Sequence, residues 1–396
     1  MKLKRKSAWP LSGVAFFWVL LTLACNDDKT IPLSSGLADP TQLGQPRRTT
    51  IAINIDSTAN KKANTFGASD LWLGKFDNIE SRMLMRFAPI DTGVTVIAST
   101  LKLHTSLLKG NGAGFNATIH EVTNSWDSTK FTSQDDIVQK GIFKNAPMDI
   151  QRVNPEKTDS LVFKLDPTVV LSWRTKAGRE KGVLIQTSGA TFMKSFNSNL
   201  SAQKPPVFEL ITLKRGNTKN DTTRLTASAA VFIFQRTGAL RQGPIYVGLG
   251  EQHQSVLFFD VTAIPPHATI SRALLTLEVD TLNSIFYSNR LDLQLAYPID
   301  PDSTKDYKFD PLRFGSLSAA LRTVALDTVN IATKMITFTV TNPVQLWVLD
   351  SKKNFGVNLF PVSFTGRDLT RAAFYSRETD AARAPKLQIE YTVPPQ

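Results

Sequence analysis

Groups able to do chemistry are few and scattered along these 396 residues. The four histidines, His104, His120, His253 and His267, have no second histidine at ligand spacing, and the single cysteine, Cys25, cannot supply a thiolate set. A thiolate zinc site is therefore not encoded. There is no Gly-x-Ser-x-Gly nucleophile turn. Gly110-Asn-Gly-Ala-Gly114 lacks the lysine and hydroxyl of a phosphate-cradling loop and reads as a long hairpin turn. Asp300, Asp302 and Asp306 bring three carboxylates into one short loop, oxygen chemistry suited to a structural calcium ion, although the helix-flanked calcium-loop pattern is missing.

The remaining chemistry is recognition. Arg241 and Tyr246 lie in Leu240-Arg-Gln-Gly-Pro-Ile-Tyr246, where an arginine can meet a carboxylate on an acidic glycan. Trp72, Trp126, Trp173 and Trp347 are the aromatics on which a sugar ring could stack. Trp72 and Trp126 join Arg241 and Tyr246 as the candidate ligand-binding set.

The elements that must position these residues are strands. Leu161-Val-Phe-Lys-Leu165, Leu291-Asp-Leu-Gln-Leu295, Met335-Ile-Thr-Phe-Thr-Val340 and Lys386-Leu-Gln-Ile-Glu-Tyr391 alternate with period two, which puts one face on a core and the other in water. Short helices are expected only near 132–139 and 317–324. The pattern also occurs twice. Trp72-Leu-Gly74 corresponds to Tyr246-Val-Gly248, Val96 to Leu103 corresponds to Ile270 to Leu277, and Gly182-Val183 corresponds to Gly356-Val357, all 174 positions apart. Repetition in constant order marks a duplicated unit. The expected architecture is all-β, with two tandem jelly-roll-like antiparallel sandwiches at 51–213 and 224–396 joined by the polar linker 214–223.

The first residues point outside the cytoplasm. A basic start, Met1 to Lys6, precedes an apolar run that ends in Leu21-Thr-Leu-Ala-Cys25, the plan of a cleaved secretory signal. The segment resembles a bacterial lipoprotein signal. That resemblance implies removal of 1–24, lipid on Cys25, a flexible tether over 25–50 and a partner in the outer membrane. Asn26-Asp-Asp-Lys29 resembles the sorting signal of surface lipoproteins of the Bacteroidota. The chain carries 46 basic and 34 acidic residues, a net charge of +12. These charges are dispersed, and together with the export signal they argue against a nucleic-acid partner.

Three motifs of the second half carry a further resemblance. They are Leu257-Phe-Phe-Asp260 followed by the turn Ile264-Pro-Pro-His267 and Ile270 to Leu277; Val344-Gln-Leu-Trp347-Val-Leu349; and Phe374-Tyr-Ser376-Arg-Glu378 followed by Pro385 to Tyr391. Together they resemble bacterial extracellular β-sandwich modules of the DNRLRE type. The first half departs from the pattern, with Ser99 in place of alanine and no glutamate after Phe196-Asn-Ser198, but it keeps Ala117 to Trp126. The resemblance implies jelly-roll relatives of carbohydrate-binding modules that accompany surface polymers or degradative enzymes.

The expected function is a non-catalytic structural, adhesive or glycan-binding role at the cell envelope, with surface polysaccharide or envelope proteins as partners. The alternative is an envelope polysaccharide hydrolase or lyase, or its accessory subunit. A groove with converging carboxylates favours the enzyme. A flat aromatic platform favours the binding module.

Overall fold

The computed structural model describes residues 44–61, 64–130, 141–155, 160–201, 204–288, 290–298, 311, 321–362 and 368–394. Cys25 and the calcium candidates Asp300, Asp302 and Asp306 lie outside them, as does the helix expected near 132–139.

Twenty-two strands are described. In the first half they are β1 (Gln45–Ala52), β2 (Ile55–Ala59), β3 (Asp70–Phe76), β4 (Ile79–Phe87), β5 (Val94–Lys109), β6 (Phe115–Glu121), β7 (Asp149–Val153), β8 (Ser160–Leu165), β9 (Val183–Ser188), β10 (Met193–Asn197) and β11 (Val207–Lys214). The second half runs β12 (Asp221–Leu225), β13 (Ala227–Arg236), β14 (Ile245–Gly248), β15 (Gln254–Phe258), β16 (Thr269–Glu278), β17 (Arg290–Pro298), β18 (Leu321–Asn330), β19 (Met335–Thr339), β20 (Val357–Pro361), β21 (Arg371–Phe374) and β22 (Lys386–Val393). Short helices α1 (Pro167–Ser172) and α2 (Lys176–Arg179) precede β9, and α3 (Thr341–Leu349) precedes β20.

The pairings build two antiparallel sandwiches of the same plan. In the first, one sheet runs β13-β4-β9-β6-β7 and the facing sheet β12-β11-β5-β8. In the second, the corresponding sheets are β2-β15-β20-β17-β18 and β1-β22-β16-β19. Each adds a pair at one end, β3 with β10 and β14 with β21.

Fine detail repeats as well. Ser81 Oγ donates to the Trp72 carbonyl at 2.7 Å, and Ser255 Oγ donates to the Tyr246 carbonyl at 2.9 Å. The register slips past Ile97 in one half and past Ser271 in the other, again 174 positions apart. Gly182 and Gly356 both have positive φ, 89° and 78°, because each passes against a neighbouring strand. A Cβ would lie 2.0 Å from the Met85 oxygen in one and 2.5 Å from the Leu257 oxygen in the other.

The division of the chain differs from the expectation. Residues 214–223 are not a connector between domains. Lys214 ends β11 and Asp221 opens β12, which folds straight back along it, with Thr212 opposite Asp221. A polar run with glycine suits a hairpin tip as well as a linker. The chain then continues through β13 on the facing sheet of the same first sandwich and leaves only after Arg236. In the second sandwich the matching places beside β22 and β15 are taken by β1 and β2, which precede β3 in the chain, Thr58 facing Ser255. An unpaired sheet edge is a liability, and this arm covers two of them. Its first strand also takes residues 45–50 out of the expected tether.

Side-chain chemistry explains the elements. Ala229 to Phe234 are all buried, so β13 is apolar on both faces. Its Phe232 and Phe234 fill the first core beside Trp72, Phe163 and Phe208, and each buried phenylalanine is worth about 1.5–3 kcal/mol. Tyr287 and Leu369 of the second half join that cluster, so the two interiors touch at the seam. Val344 to Leu349, the second of the motifs named above, is helical. Pro343 sits in the first turn, and Val344, Trp347 and Val348 are buried at helical spacing. Residues 321–324, expected in a helix, belong to β18.

Candidate functional site

The seam carries a cleft of about 520 Å³. One wall is Asp56, Thr58 and Asn60 at the end of β2. Opposite stands the strap 237–244, which carries the chain from β13 to β14, with Arg241 and Gln242 at its crest. Glu251 and His253 lie on the floor, and Glu378 stands at the side.

The floor is an ion network. Arg236 donates through Nε to Glu251 Oε1 and Oε2 at 3.1 and 2.9 Å, and through Nη2 to Oε2 at 2.7 Å. Its Nη1 donates to the Asp77 carbonyl at 3.0 Å and lies 3.6 Å from the Asp77 carboxylate. Burial opposes the charge of Glu251, but His253 and Arg236 outweigh it and hold the carboxyl at about 2. Burial lowers the pKa of His253, against the pull of Glu251, so the imidazole stays neutral and its Nε2 faces Glu251 Oε2 at 3.3 Å.

Asp77 and Asn78 form the β3–β4 turn, with φ of 50° and 57°. Such left-handed pairs make the tight hairpin turns that match strand twist. The turn reaches into the second sandwich, where Arg371 Nη2 donates to Asp77 Oδ2 at 3.0 Å. Tyr287 closes the contact. Its ring meets Trp72 edge-on at 5.0 Å, its hydroxyl donates to the Phe76 carbonyl at 3.4 Å, and burial pushes its pKa up.

On the cleft wall, burial raises the pKa of Asp56 and the nearby Glu378 adds to the shift, while Arg377 opposes it. Ser376, in the third of the motifs named above, ties the turn before the last strand: its Oγ accepts from the backbone of Glu378 and Thr379, each at 3.1 Å. The Glu378 side chain instead faces the cleft.

The sequence candidates separate. Arg241 is exposed at the crest of the strap. Tyr246 lies beneath it, buried, its hydroxyl donating to the Arg241 carbonyl at 3.1 Å and its ring 5.2 Å from the Arg371 guanidinium. Tyr246 therefore positions the strap and presents no stacking face. Trp72 is 0% exposed and belongs to the core, so it cannot meet a ligand. Trp126 lies apart on the first sandwich, 4% exposed, under Arg86 at 5.1 Å. Trp173 and Trp347 are also buried. Interior strand packing claims these rings, as it claims most aromatics in a sandwich. Asp56, Asp77, Glu251, His253, Arg371 and Glu378 were not legible from the sequence. Glu251-x-His253 was the one local signal, and the strand exchange that gathers the rest leaves no motif.

No family model matches the chain, and no curated protein matches it. Among solved structures, the tandem CBM22-1-CBM22-2 domains of Paenibacillus barcinonensis Xyn10C are 8% identical, with 87% of this chain and 98% of that chain covered, at a TM-score of 0.19. The VP2 subviral particle of infectious bursal disease virus is 10% identical, with 91% and 79% covered, at a TM-score of 0.15. Likenesses this faint carry no functional argument. The class, an all-β protein of two jelly-roll-like sandwiches, rests on the strand pairings above.

Proposed function

We propose that the chain is a lipid-anchored envelope protein that binds glycan, without chemistry, in the cleft at its seam. The observation that carries this reading is the lining. Asp56, Thr58, Asn60, Arg241, Gln242 and Glu378 offer hydrogen-bond donors and acceptors around one depression, held by two sandwiches locked through Arg236. Fixed polar groups of this kind suit sugar hydroxyls. Glu251 is fully engaged by Arg236, so it is a support for the floor and not a free base. The anchor rests on the export signal and Cys25. A palmitate analogue labels the wild-type chain and not Cys25→Ser; an unlabelled wild type overturns the anchor. Detergent-solubilised full-length chain on a glycan array gives saturable binding that Asn60→Ala together with Gln242→Ala reduces at least tenfold. Silence across neutral and acidic glycans overturns the binding role.

One observation favours the enzyme as a second reading. Asp56 is pushed towards its protonated form beside Glu378, the acid and base pairing of polysaccharide hydrolysis. Release of reducing ends by the wild type, abolished in Asp56→Asn, establishes that reading. Intact polysaccharide after prolonged incubation rejects it.

A further inference from the structure

Behind the strap lies a second pocket, of about 200 Å³. It shares Arg236, Ala239, Leu240, Arg241 and Tyr246 with the cleft, so only the strap separates them. Its polar lining is unusual. Three guanidinium groups, those of Arg236, Arg241 and Arg371, border it with a single carboxylate, that of Asp77.

These arginines are not equally occupied. Arg236 is taken by Glu251 and by the Asp77 carbonyl. The Arg371 side chain is 6% exposed, yet among the described residues its one hydrogen bond is from Nη2 to Asp77, and its Nε is buried without a partner. A buried guanidinium is normally bonded through most of its donors, because losing water without replacement is costly. Arg241 has no carboxylate partner among the described ion pairs, and Tyr246 fixes its backbone at the pocket rim. Leu282, 88% exposed, and Ile285 form an apolar lip. Counting Glu251 and Asp280, whose carboxylate accepts from Asn283 of the pocket wall, three positive charges face three negative ones, yet Arg241 and Arg371 keep donors that no carboxylate takes up, and across the strap Thr58, Asn60 and Gln242 offer neutral hydrogen-bonding groups.

We infer that this pocket seats a carboxylate or sulfate group of an acidic glycan whose neutral portion lies in the cleft. The inference rests on the cleft reading and adds the ligand's class to it. Guanidinium groups recognise planar or tetrahedral oxyanions through paired, charge-assisted hydrogen bonds. A pocket this small admits one charged substituent at a time, and the apolar lip suits the face of the ring that carries it.

The test is calorimetric titration of the full-length chain in detergent with hexuronate oligosaccharides, neutral hexose oligosaccharides of the same length, and sodium sulfate, at low and moderate salt. The acidic oligosaccharide is expected to bind at least tenfold more tightly than the neutral one at low salt, with the preference shrinking as salt rises. Leu282→Glu, which places a carboxylate at the lip of this pocket and not in the cleft, is expected to remove the preference while neutral binding and melting temperature hold. Arg241→Gln is expected to weaken the acidic ligand. Equal affinity for acidic and neutral oligosaccharides, or a preference that survives Leu282→Glu, overturns the inference and leaves the cleft reading standing. Saturable binding of sulfate with no oligosaccharide binding overturns the glycan source. Absence of all binding overturns both readings.

Discussion

Asp77 and Glu251, equivalent residues 174 positions apart, hold the same guanidinium. Each sits in the hairpin turn that follows the first strand of its repeat, Asp77 before Asn78 and Glu251 before Gln252, and both Asn78 and Gln252 have positive φ. Arg236 lies between them, 2.7 Å from one carboxylate and 3.6 Å from the other. The duplication thus brings two acidic turns to one point, and β13 ends there with the cation that joins them.

Removal of that cation is expected to be severe. Arg236→Met leaves Glu251 charged and buried with no strong partner, a loss of about 3–5 kcal/mol. Urea unfolding measures it. A loss below about 1 kcal/mol would mean that the network does not lock the seam.

Stability is expected to fall in acid in two stages. His253 is held neutral by burial, below the ordinary 6.5, so unfolding frees it to take a proton and stability declines as pH drops below about 6.5. His120, also lowered by burial, acts in the same direction. Glu251 is held at about 2 against 4.5, so its contribution is complete above about pH 4.5 and is lost as pH falls through about 2. A difference of this size is worth about 3 kcal/mol. Asp56, whose pKa is raised, works the other way and favours folding as it is protonated. Urea midpoints from pH 8 to 2.5 should trace the decline, and Glu251→Gln should flatten its lower limb. A wild-type curve that stays level from pH 7 to 3 contradicts the assignment.

Ser81→Ala and Ser255→Ala are expected to cost the same, about 1–3 kcal/mol each, because each leaves a buried carbonyl without its donor. Widely different costs would show that the repeats are alike in outline but not in energetics.

Deletion of residues 45–60 is expected to leave the first sandwich folded and the second open, since β15 and β22 each lose one of their two neighbours. Hydrogen exchange reads this directly: amides of β16 and β20 exchange quickly while those of β5 and β9 stay protected. A synthetic 45–60 peptide added in trans should restore protection. Unchanged protection in the truncated chain would show that the arm is dispensable.

The all-β class and the duplication were legible because alternation records which side chains face a core, as at Leu275 and Leu277, both buried on one face of β16. The exchange was not. Ile55 and Thr58 look the same whether β2 pairs with its own half or with the other, since the 197 positions between Thr58 and Ser255 leave no local pattern. The site inherits that blindness. Arg241 and Tyr246 stood close in sequence and were found together, whereas Asp56, Asp77, Glu251 and Arg371 meet only because the strands cross over. Trp72 was misread because exposure cannot be told from residue type when both faces of a strand are covered.

Closure by the arm also dictates an order of assembly. Ribosomes make β1 and β2 first, yet Thr58 must wait for Ser255 and β1 for the terminal β22. The first repeat can mature during synthesis, while the second stays an open sandwich until β22 emerges and β1 and β2 return to it. Such distant pairing is slow. That delay keeps the second repeat incomplete, and its sheet edges open, until β22 has been made.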